Sequence, residues 1–322
     1  MQPSISTLSA FLYHLRAQRG SHFKADWVTT QLRRCDDLEW ATRFSRGCPV
    51  EGASARDYLQ RVVTYSDCDQ NSQMAILGIR FLGGDINQPF ISVVAEVELD
   101  DIDLAAGSTR EAALASLQKT FSAYRLQKVI WNPAQVPPDG STSPDQLLLA
   151  REVSIELARR PIQAGSIAVE QLNEASRIQH AAAFVSDTYS RWESLQPWRK
   201  GRVFPISTEE LHAAAAEGII FEARLRGEIV GLITASPALE ENTGIFGWCI
   251  SEEVVTPESA GKGLATLMQL RLLSALATRK PGALLYGTID HDNKSSIAVA
   301  QKCGRKILAS IDFWPLSSEK DL

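Results

Sequence analysis

Apolar residues in the second half of the chain recur every three to four positions in some stretches and alternate with polar residues in others. The first pattern predicts amphipathic helices and the second predicts strands. The predicted helices are 169–189, 211–217, 263–278 and 295–302, and the predicted strands are 219–225, 228–235, 244–255, 283–289 and 305–313. The order of these elements predicts an α+β fold in which helices flank a mixed central sheet.

The first half of the chain has a separate set of predicted elements. Helices are expected at 6–18, 24–46, 53–64 and 109–124, and strands at 74–82, 90–98 and 128–131. Residues 132–144 then hold four prolines among turn-forming residues, which indicates an exposed linker. We therefore expect two domains, one in residues 1–140 and one in residues 150–322.

Length and composition agree with two soluble domains. The chain has 322 residues, 44% hydrophobic and 22% charged, and a domain of about 150 residues predicts two cores. The net charge of -5 gives no general attraction for nucleic acid or an anionic membrane. No stretch is apolar enough to span a bilayer and no signal peptide is evident, so we expect a cytoplasmic protein, either a monomer or a homodimer.

The cysteines indicate neither a disulfide framework nor a metal site. There are five of them, at positions 35, 48, 68, 249 and 303, without a closely spaced pair or a histidine at ligand spacing. We interpret them as reduced thiols and expect no metal.

A glycine-rich bend lies between the strand that ends at Val255 and the following helix. It contains Pro257, Gly261 and Gly263. Glycines allow several backbone N–H groups to approach one ligand, and a helix N-terminus adds a positive dipole, so such a bend can bind a pyrophosphate. It is neither a Walker loop nor a dinucleotide fingerprint, because it lacks the required lysine–hydroxyl pair and the third glycine. A tight strand-to-helix turn without a ligand is the alternative.

The segment Ala260-Gly-Lys-Gly-Leu-Ala265 resembles the acyl-CoA motif of the GNAT acyltransferase superfamily, in which Arg/Gln-x-x-Gly-x-Gly/Ala follows a Val-x-Pro strand end. Ala260 departs from that pattern. Residues 293–304 resemble a second family motif, a helix that begins with Asn-x-x-Ser and ends with Lys-x-Gly. The resemblance covers about residues 165–315 and implies a GNAT fold with acetyl-CoA as co-substrate. The implied cofactor-binding residues are Val254, Val255, Gly261, Lys262, Gly263, Leu264, Ala265, Thr266, Asn293 and Ser296.

The same resemblance implies a general base on the strand before the bend. Alternation counted back from Val255 puts Glu253 on one face with Ser251 and Cys249, and Glu252 on the other. Glu253 is our preferred base, and Glu252 is retained because a bulge would shift the alternation. Both could instead be solvated charges at a strand end.

The family often uses a tyrosine of the last helix as the general acid, and Ala300 occupies that position here. The remaining candidates for the acid are Cys303, Ser296, His291 and Tyr286. The resemblance also predicts that the segment after the first helix covers the acceptor, with Trp192 and Trp198 as substrate-binding residues. Packing of both tryptophans against the core is the alternative.

These features predict an N-acyltransferase that transfers an acetyl group from acetyl-CoA to a primary amine of a small molecule or peptide. A non-catalytic acyl-CoA-binding module and an aminoacyl-tRNA-dependent transferase are the alternatives, and the acidic net charge disfavours the second. Similar spacing of strand, helix and strand in the first half indicates a degenerate GNAT-like repeat, with an unrelated α+β domain as the alternative. Three aspartates in residues 99–108 would repel a pyrophosphate there.

Overall fold

The structure is a computed structural model that describes residues 25–66, 72–81, 86–87, 89–98, 121, 124, 126, 128–131, 145–159, 167–172, 174–200, 203–240 and 243–315. The chain forms two compact units. Unit 1 contains Met1–Leu147, Glu240–Ile245 and Ala309–Leu322, and unit 2 contains Leu148–Leu239 and Phe246–Leu308. The helix predicted at 6–18, the linker at 132–144 and most of the helix at 109–124 lie outside the described residues.

The elements are numbered here in chain order. The helices are α1 (Ala25–Arg33), α2 (Leu38–Gly47), α3 (Ala175–Leu195), α4 (Thr208–Glu217), α5 (Leu264–Arg279) and α6 (Lys294–Lys302). The strands are β1 (Arg61–Ser66), β2 (Ser72–Phe81), β3 (Pro89–Glu98), β4 (Lys128–Trp131), β5 (Gln146–Glu152), β6 (Ile167–Gln171), β7 (Ile219–Leu225), β8 (Glu228–Glu240), β9 (Ile245–Val255), β10 (Leu284–Asp290) and β11 (Lys306–Pro315). Short 3₁₀ turns occupy Ala55–Tyr58, Ile155–Arg159, Pro197–Arg199 and Pro257–Ser259.

In unit 1, β1, β2 and β3 form an antiparallel sheet, β4 runs parallel to β3, and the end of β11 pairs antiparallel with β4. An aromatic core packs against this sheet, with Phe44, Tyr58, Phe81 and Tyr124 in mutual edge or tilted contacts. Contacts between aromatic rings therefore fill the core of unit 1.

In unit 2, the sheet order is β5-β10-β9-β8-β7-β6. Helix α5 packs on one face, where Met268, Leu272 and Leu276 join the odd-numbered core residues of β7. Helices α3 and α4 pack on the opposite face around Ile220 and Leu232. The predicted α+β fold with a mixed sheet between helices is confirmed, because β6, β7 and β8 are antiparallel whereas β9 and β10 are parallel.

Three element predictions were wrong in detail. The helix predicted at 53–64 is only the 3₁₀ turn Ala55–Tyr58, and β1 follows because the β-branched run Val62-Val63-Thr64 pairs with β2. The helix predicted at 24–46 is split where the Asp37 side chain accepts from the Trp40 N–H and caps α2. Residues 167–171, of which 169–171 were predicted as helix, form strand β6 and pair with β7.

Candidate active site

The bend after β9 has the backbone geometry that an anion-binding loop requires. Gly261 and Gly263 have φ values of 74° and 78°, and a Cβ added at either would meet nothing within 4 Å. Gly263 caps α5, whose first backbone bond joins the Leu267 N–H to the Gly263 carbonyl. The preceding N–H groups of a helix have no partner within it and carry its positive dipole. The bend is therefore open to a ligand phosphate.

A cavity of about 540 Å³ lies beside this bend within unit 2. It is lined by the bend, the end of β9, one face of α6 and the C-terminal part of α3 with the turn that follows it. The predicted site residues that line it are Trp192, Glu253, Val254, Val255, Gly261, Gly263, Leu264, Ala265, Thr266, Asn293 and Ser296. Motifs that are distant in sequence therefore meet around one cavity.

The α6 part of the wall is fixed by its own cap. The Asn293 side chain accepts from the Ser296 N–H at 3.2 Å and from the Ser295 hydroxyl at 2.9 Å. This cap explains the Asn-x-x-Ser spacing and places both Asn293 and Ser296 at the cavity wall.

The side chains of strand β9 do not alternate regularly between the two faces of the sheet. Trp248, Ile250 and Val255 belong with the core on the α5 side, whereas Val254 belongs with the core around α3 and α4. Glu253 also faces α5, so Ile250 and Glu253, three positions apart, share a face. One extra residue between them, as in a β-bulge, accounts for this parity. Glu252 and Glu253 consequently point to opposite sides of the sheet.

Glu253 lies in the cavity wall with a carboxylate that is only partly satisfied. Its Oε2 accepts from Gln269 Nε2 at 2.7 Å, and its Oε1 is buried without a hydrogen-bond partner in the described part of the chain. Burial raises the pKa of Glu253 to about 7, while Gln269 and the Arg305 cation act in the opposite direction. Such a carboxylate can accept a proton near neutral pH.

Arg305, which acts on Glu253, is itself buried. Its guanidinium donates to the Leu149 carbonyl at 3.0 and 3.2 Å and to the Gly287 carbonyl at 3.0 Å. Burial lowers its pKa, and the charge of Glu253 opposes that change. Arg305 thus supplies a fixed positive charge on the Glu253 side of β9.

Glu252 occupies a different environment on the α3 side. It is 4% exposed, and its carboxylate accepts from Tyr189 Oη at 2.9 Å and from the Ile206 N–H at 3.0 Å. Burial raises its pKa to about 7, and no cation acts on it among the residues that the structure describes. Glu252 does not line the cavity, but Tyr189 does.

The other predicted catalytic residues differ in their placement. Cys303 is 1% exposed and outside the cavity wall, and burial raises the pKa of its thiol to about 12. Tyr286 is buried and donates to the Ala238 carbonyl, while His291 pairs with Asp292, and neither lines the cavity. Of the four residues considered as acids, Ser296 alone lines this cavity.

Residues at the end of α3 and in the turn after it line the cavity, and two of them, Tyr189 and Arg199, were not predicted as site residues. Trp192 donates through Nε1 to the Val255 carbonyl at 2.7 Å, and the Arg199 guanidinium lies 4.9 Å from the centre of its ring. Tyr189 lies one turn before Trp192, and both line the cavity. The spacing of Val185, Tyr189 and Trp192, on one helical face, was the available signal for Tyr189. Lys262 does not line the cavity, and the side chain of Trp198 lies outside what the structure describes.

One family model and several solved structures are similar to this chain. Residues 171–306 match the family model of the acetyltransferase (GNAT) domain. A GCN5-related N-acetyltransferase from Sphaerobacter thermophilus is 10% identical with a TM-score of 0.50, and the match covers 92% of this chain and 96% of that chain. At that identity, the likeness shows a common fold.

Two further solved structures are similar over most of the chain. A GCN5-related N-acetyltransferase from Kribbella flavida is 13% identical with a TM-score of 0.45, covering 88% of this chain and 98% of that chain. A Drosophila protein is 14% identical with a TM-score of 0.46, covering 98% and 97%. None of the curated proteins matches the sequence. No helix in the described ranges is both long and apolar enough to cross a membrane.

Proposed function

We propose, from the match of residues 171–306 to the acetyltransferase (GNAT) family model, that the protein transfers an acetyl group from acetyl-CoA to a primary amine of a small molecule or peptide. One observation carries the proposal: a single cavity is lined both by the glycine-rich bend and by Glu253, whose carboxyl group has a pKa of about 7. Binding of a phosphate-bearing substrate and removal of a proton from an amine require these two features together.

The residues present fit acetyl-CoA. The open positive-φ glycines and the α5 N-terminus suit a pyrophosphate, and the cavity continues from them along Val254 and Val255 to Glu253. Lys302 of α6 adds a cation to the same wall. Ala260, which replaces the usual Arg or Gln, removes a side chain but none of the backbone donors. The local dipole therefore compensates for the negative net charge of the chain.

The reaction needs few catalytic groups from the protein, because a thioester is already reactive. Glu253 would take a proton from the amine as its nitrogen attacks the carbonyl carbon directly, and its pKa of about 7 suits this transfer near neutral pH. A backbone N–H of β9 near Val254 would stabilise the developing oxyanion. Trp192 and Arg199 form the part of the wall that would contact the acceptor.

The test is an assay with acetyl-CoA and a panel of small amines and peptides, in which release of free CoA thiol and the mass of the acetylated product are measured. We expect turnover with at least one amine and a fall in kcat of about 10²-fold or more in Glu253→Gln. The matched control is Glu228→Gln, because Glu228 is an exposed glutamate at the start of β8 and should leave the rate unchanged. Tight binding of acetyl-CoA without turnover of any amine would instead indicate a non-catalytic acyl-CoA-binding module.

We further propose that unit 1 is a GNAT-like repeat without an acyl-CoA site. Its support is the strand arrangement: antiparallel β1-β2-β3 leads to the parallel pair β3 and β4, as antiparallel β6-β7-β8 in unit 2 leads to the parallel pair β9 and β10. The aspartate-rich segment 99–108 lies outside the described residues.

A further inference from the structure

The cavity that would admit the acceptor amine has cationic residues in its wall. Among the described residues that line it, those with a positive charge at neutral pH are Arg199 and Lys302. A primary amine is itself positively charged at neutral pH until it gives up a proton, so a neighbouring guanidinium opposes its binding. A negative charge elsewhere on the acceptor would offset this repulsion. The inference that follows concerns the class of acceptor, and it rests on the proposed function.

The Arg199 guanidinium is held between two side chains that also line the cavity. Its central carbon lies 4.9 Å from the centre of the Trp192 ring, and its Nε donates to Gln196 Oε1 at 2.6 Å. Trp192 is itself fixed, because its Nε1 donates to the Val255 carbonyl at 2.7 Å. A planar guanidinium that is already stacked and bonded loses little side-chain freedom when it binds an anion. Arg199 is therefore preorganised at the cavity wall.

The neighbours of Arg199 place it beside the end of β9 that carries the two glutamates. Burial lowers the pKa of Arg199, and Tyr189 and Asp290 oppose that change. Tyr189 donates to Glu252, and Asp290 comes level with Glu253 when residues are counted along the parallel strands β9 and β10 from their paired positions. Arg199 thus lies near the level of Glu253, which precedes the glycine-rich bend in β9.

The surroundings of Arg199 suit a carboxylate that enters from the cavity. Asp290 is a negative charge that acts on Arg199, but it is not one of the residues that line the cavity. A half-buried guanidinium is less screened by water than an exposed one, which strengthens its pairing with an anion. Its planar donor groups also match the two oxygens of a carboxylate.

We propose that the acceptor is an amino acid, a small amine that also carries a carboxylate, and that Arg199 binds this carboxylate. The amine of the acceptor then lies towards Glu253, and the carboxylate lies towards the turn after α3. Each charged end of the acceptor meets a protein group of opposite charge. Amines without a negative charge gain nothing from Arg199 and are poorer acceptors.

The test compares amino acids with their own carboxamides, which keep the amine and the side chain but lose the negative charge. Glycine, alanine, leucine and glutamate are assayed in both forms with acetyl-CoA, by release of CoA thiol and by the mass of the product. We expect kcat/KM for at least one acid to exceed that for its amide by at least about 10-fold. The two forms also differ in amine basicity, so the decisive quantity is how variants change the acid-to-amide ratio.

Arg199→Gln should lower this ratio by at least about 10-fold, mainly through a higher KM for the acid with kcat within ~3-fold, because a binding contact is lost. Arg199→Lys keeps the charge without the planar donor pair and should retain part of the preference. Affinity for acetyl-CoA, measured by calorimetry, should be unchanged in both variants. The matched control is Arg226→Gln, because Arg226 is an exposed arginine of the β7–β8 hairpin and should leave both the ratio and the affinity unchanged.

Three results would overturn this acceptor class alone. An equal fall for acid and amide in Arg199→Gln would show that Arg199 only supports the turn, and a lower affinity for acetyl-CoA would show that it binds a phosphate of the co-substrate. Turnover of amines with an acid-to-amide ratio that Arg199→Gln leaves unchanged would show that no carboxylate is recognised. Acetyl-CoA binding without turnover of any amine by the unaltered protein would overturn the proposed function, and the acceptor class with it.

Discussion

Buried tyrosines have different partners in the two units. In unit 1, the Tyr58 hydroxyl donates to the Cys48 carbonyl and accepts from the Val50 N–H. In unit 2, the Tyr189 hydroxyl donates to the Glu252 carboxylate, and Tyr189 is one of the residues that line the cavity. The two units share an arrangement of antiparallel strands that leads to a parallel pair, yet their buried polar groups differ in kind. Strand topology alone therefore does not identify the unit that carries the chemistry.

The largest expected effect separates a binding bend from an ordinary turn. Gly263→Asp adds a Cβ at a φ of 78° and a negative charge where a pyrophosphate would lie. We expect affinity for acetyl-CoA to fall by at least about 100-fold, or about 2.7 kcal/mol, measured by calorimetry. The matched control is Gly227→Asp in the β7–β8 hairpin, where φ is 87° and the added Cβ also meets nothing within 4 Å.

In Gly227→Asp the backbone strain is similar, but no phosphate site is present. Affinity should therefore stay unchanged while stability falls by about 1 kcal/mol. Equal loss of affinity in both variants would show that the effect of Gly263→Asp is strain and not the bend's role in binding.

The bend was predictable from sequence because its chemistry depends on local backbone geometry. Glycines at 261 and 263, followed by a helical pattern, specify positive φ and a free helix N-terminus without long-range information. The order of helices and strands was predictable for a similar reason. The spacing of apolar residues in α5, β7 and β8 reflects which residues of each element face the core.

The side-chain partners of Glu252 and Glu253 were not predictable in the same way. Alternation separated Glu253 from Glu252, but it grouped Glu252 with Ile250, and the irregularity of β9 places Ile250 with Glu253 instead. Tyr189 and Arg305 act on these glutamates from elements 63 and 52 residues away in the chain. Such partners depend on tertiary packing, which no spacing rule contains.

A smaller expected effect concerns the contribution of the buried Glu252 carboxyl group to the pH dependence of folding stability. Burial raises the pKa of Glu252 to about 7 in the folded protein from its ordinary value of 4.5, so the folded state binds more protons between these pH values. Stability should therefore fall as pH rises from about 4.5 to about 7. In Glu252→Gln this part of the fall should disappear, leaving the variant on the order of 1–2 kcal/mol less sensitive to pH across that range.

Urea denaturation at several pH values measures this difference between Glu252→Gln and the unaltered protein. Glu228→Gln is the control, since Glu228 is exposed and should leave the pH dependence as it was. If the free energy of unfolding changed with pH in the same way in all three proteins, the pKa of Glu252 would not be raised in the folded state.

The smallest expected effect tests whether Tyr58 of unit 1 has only a structural role. Tyr58→Phe keeps the ring contacts with Phe44 and Tyr124 but removes the hydroxyl from the Cys48 carbonyl and the Val50 N–H. We expect a loss of about 1–2 kcal/mol in the free energy of unfolding, because two backbone groups lose their partner. Acetyl transfer and its pH profile should be unchanged, in contrast to Glu253→Gln. A change in kcat at constant stability would show that unit 1 also takes part in the reaction.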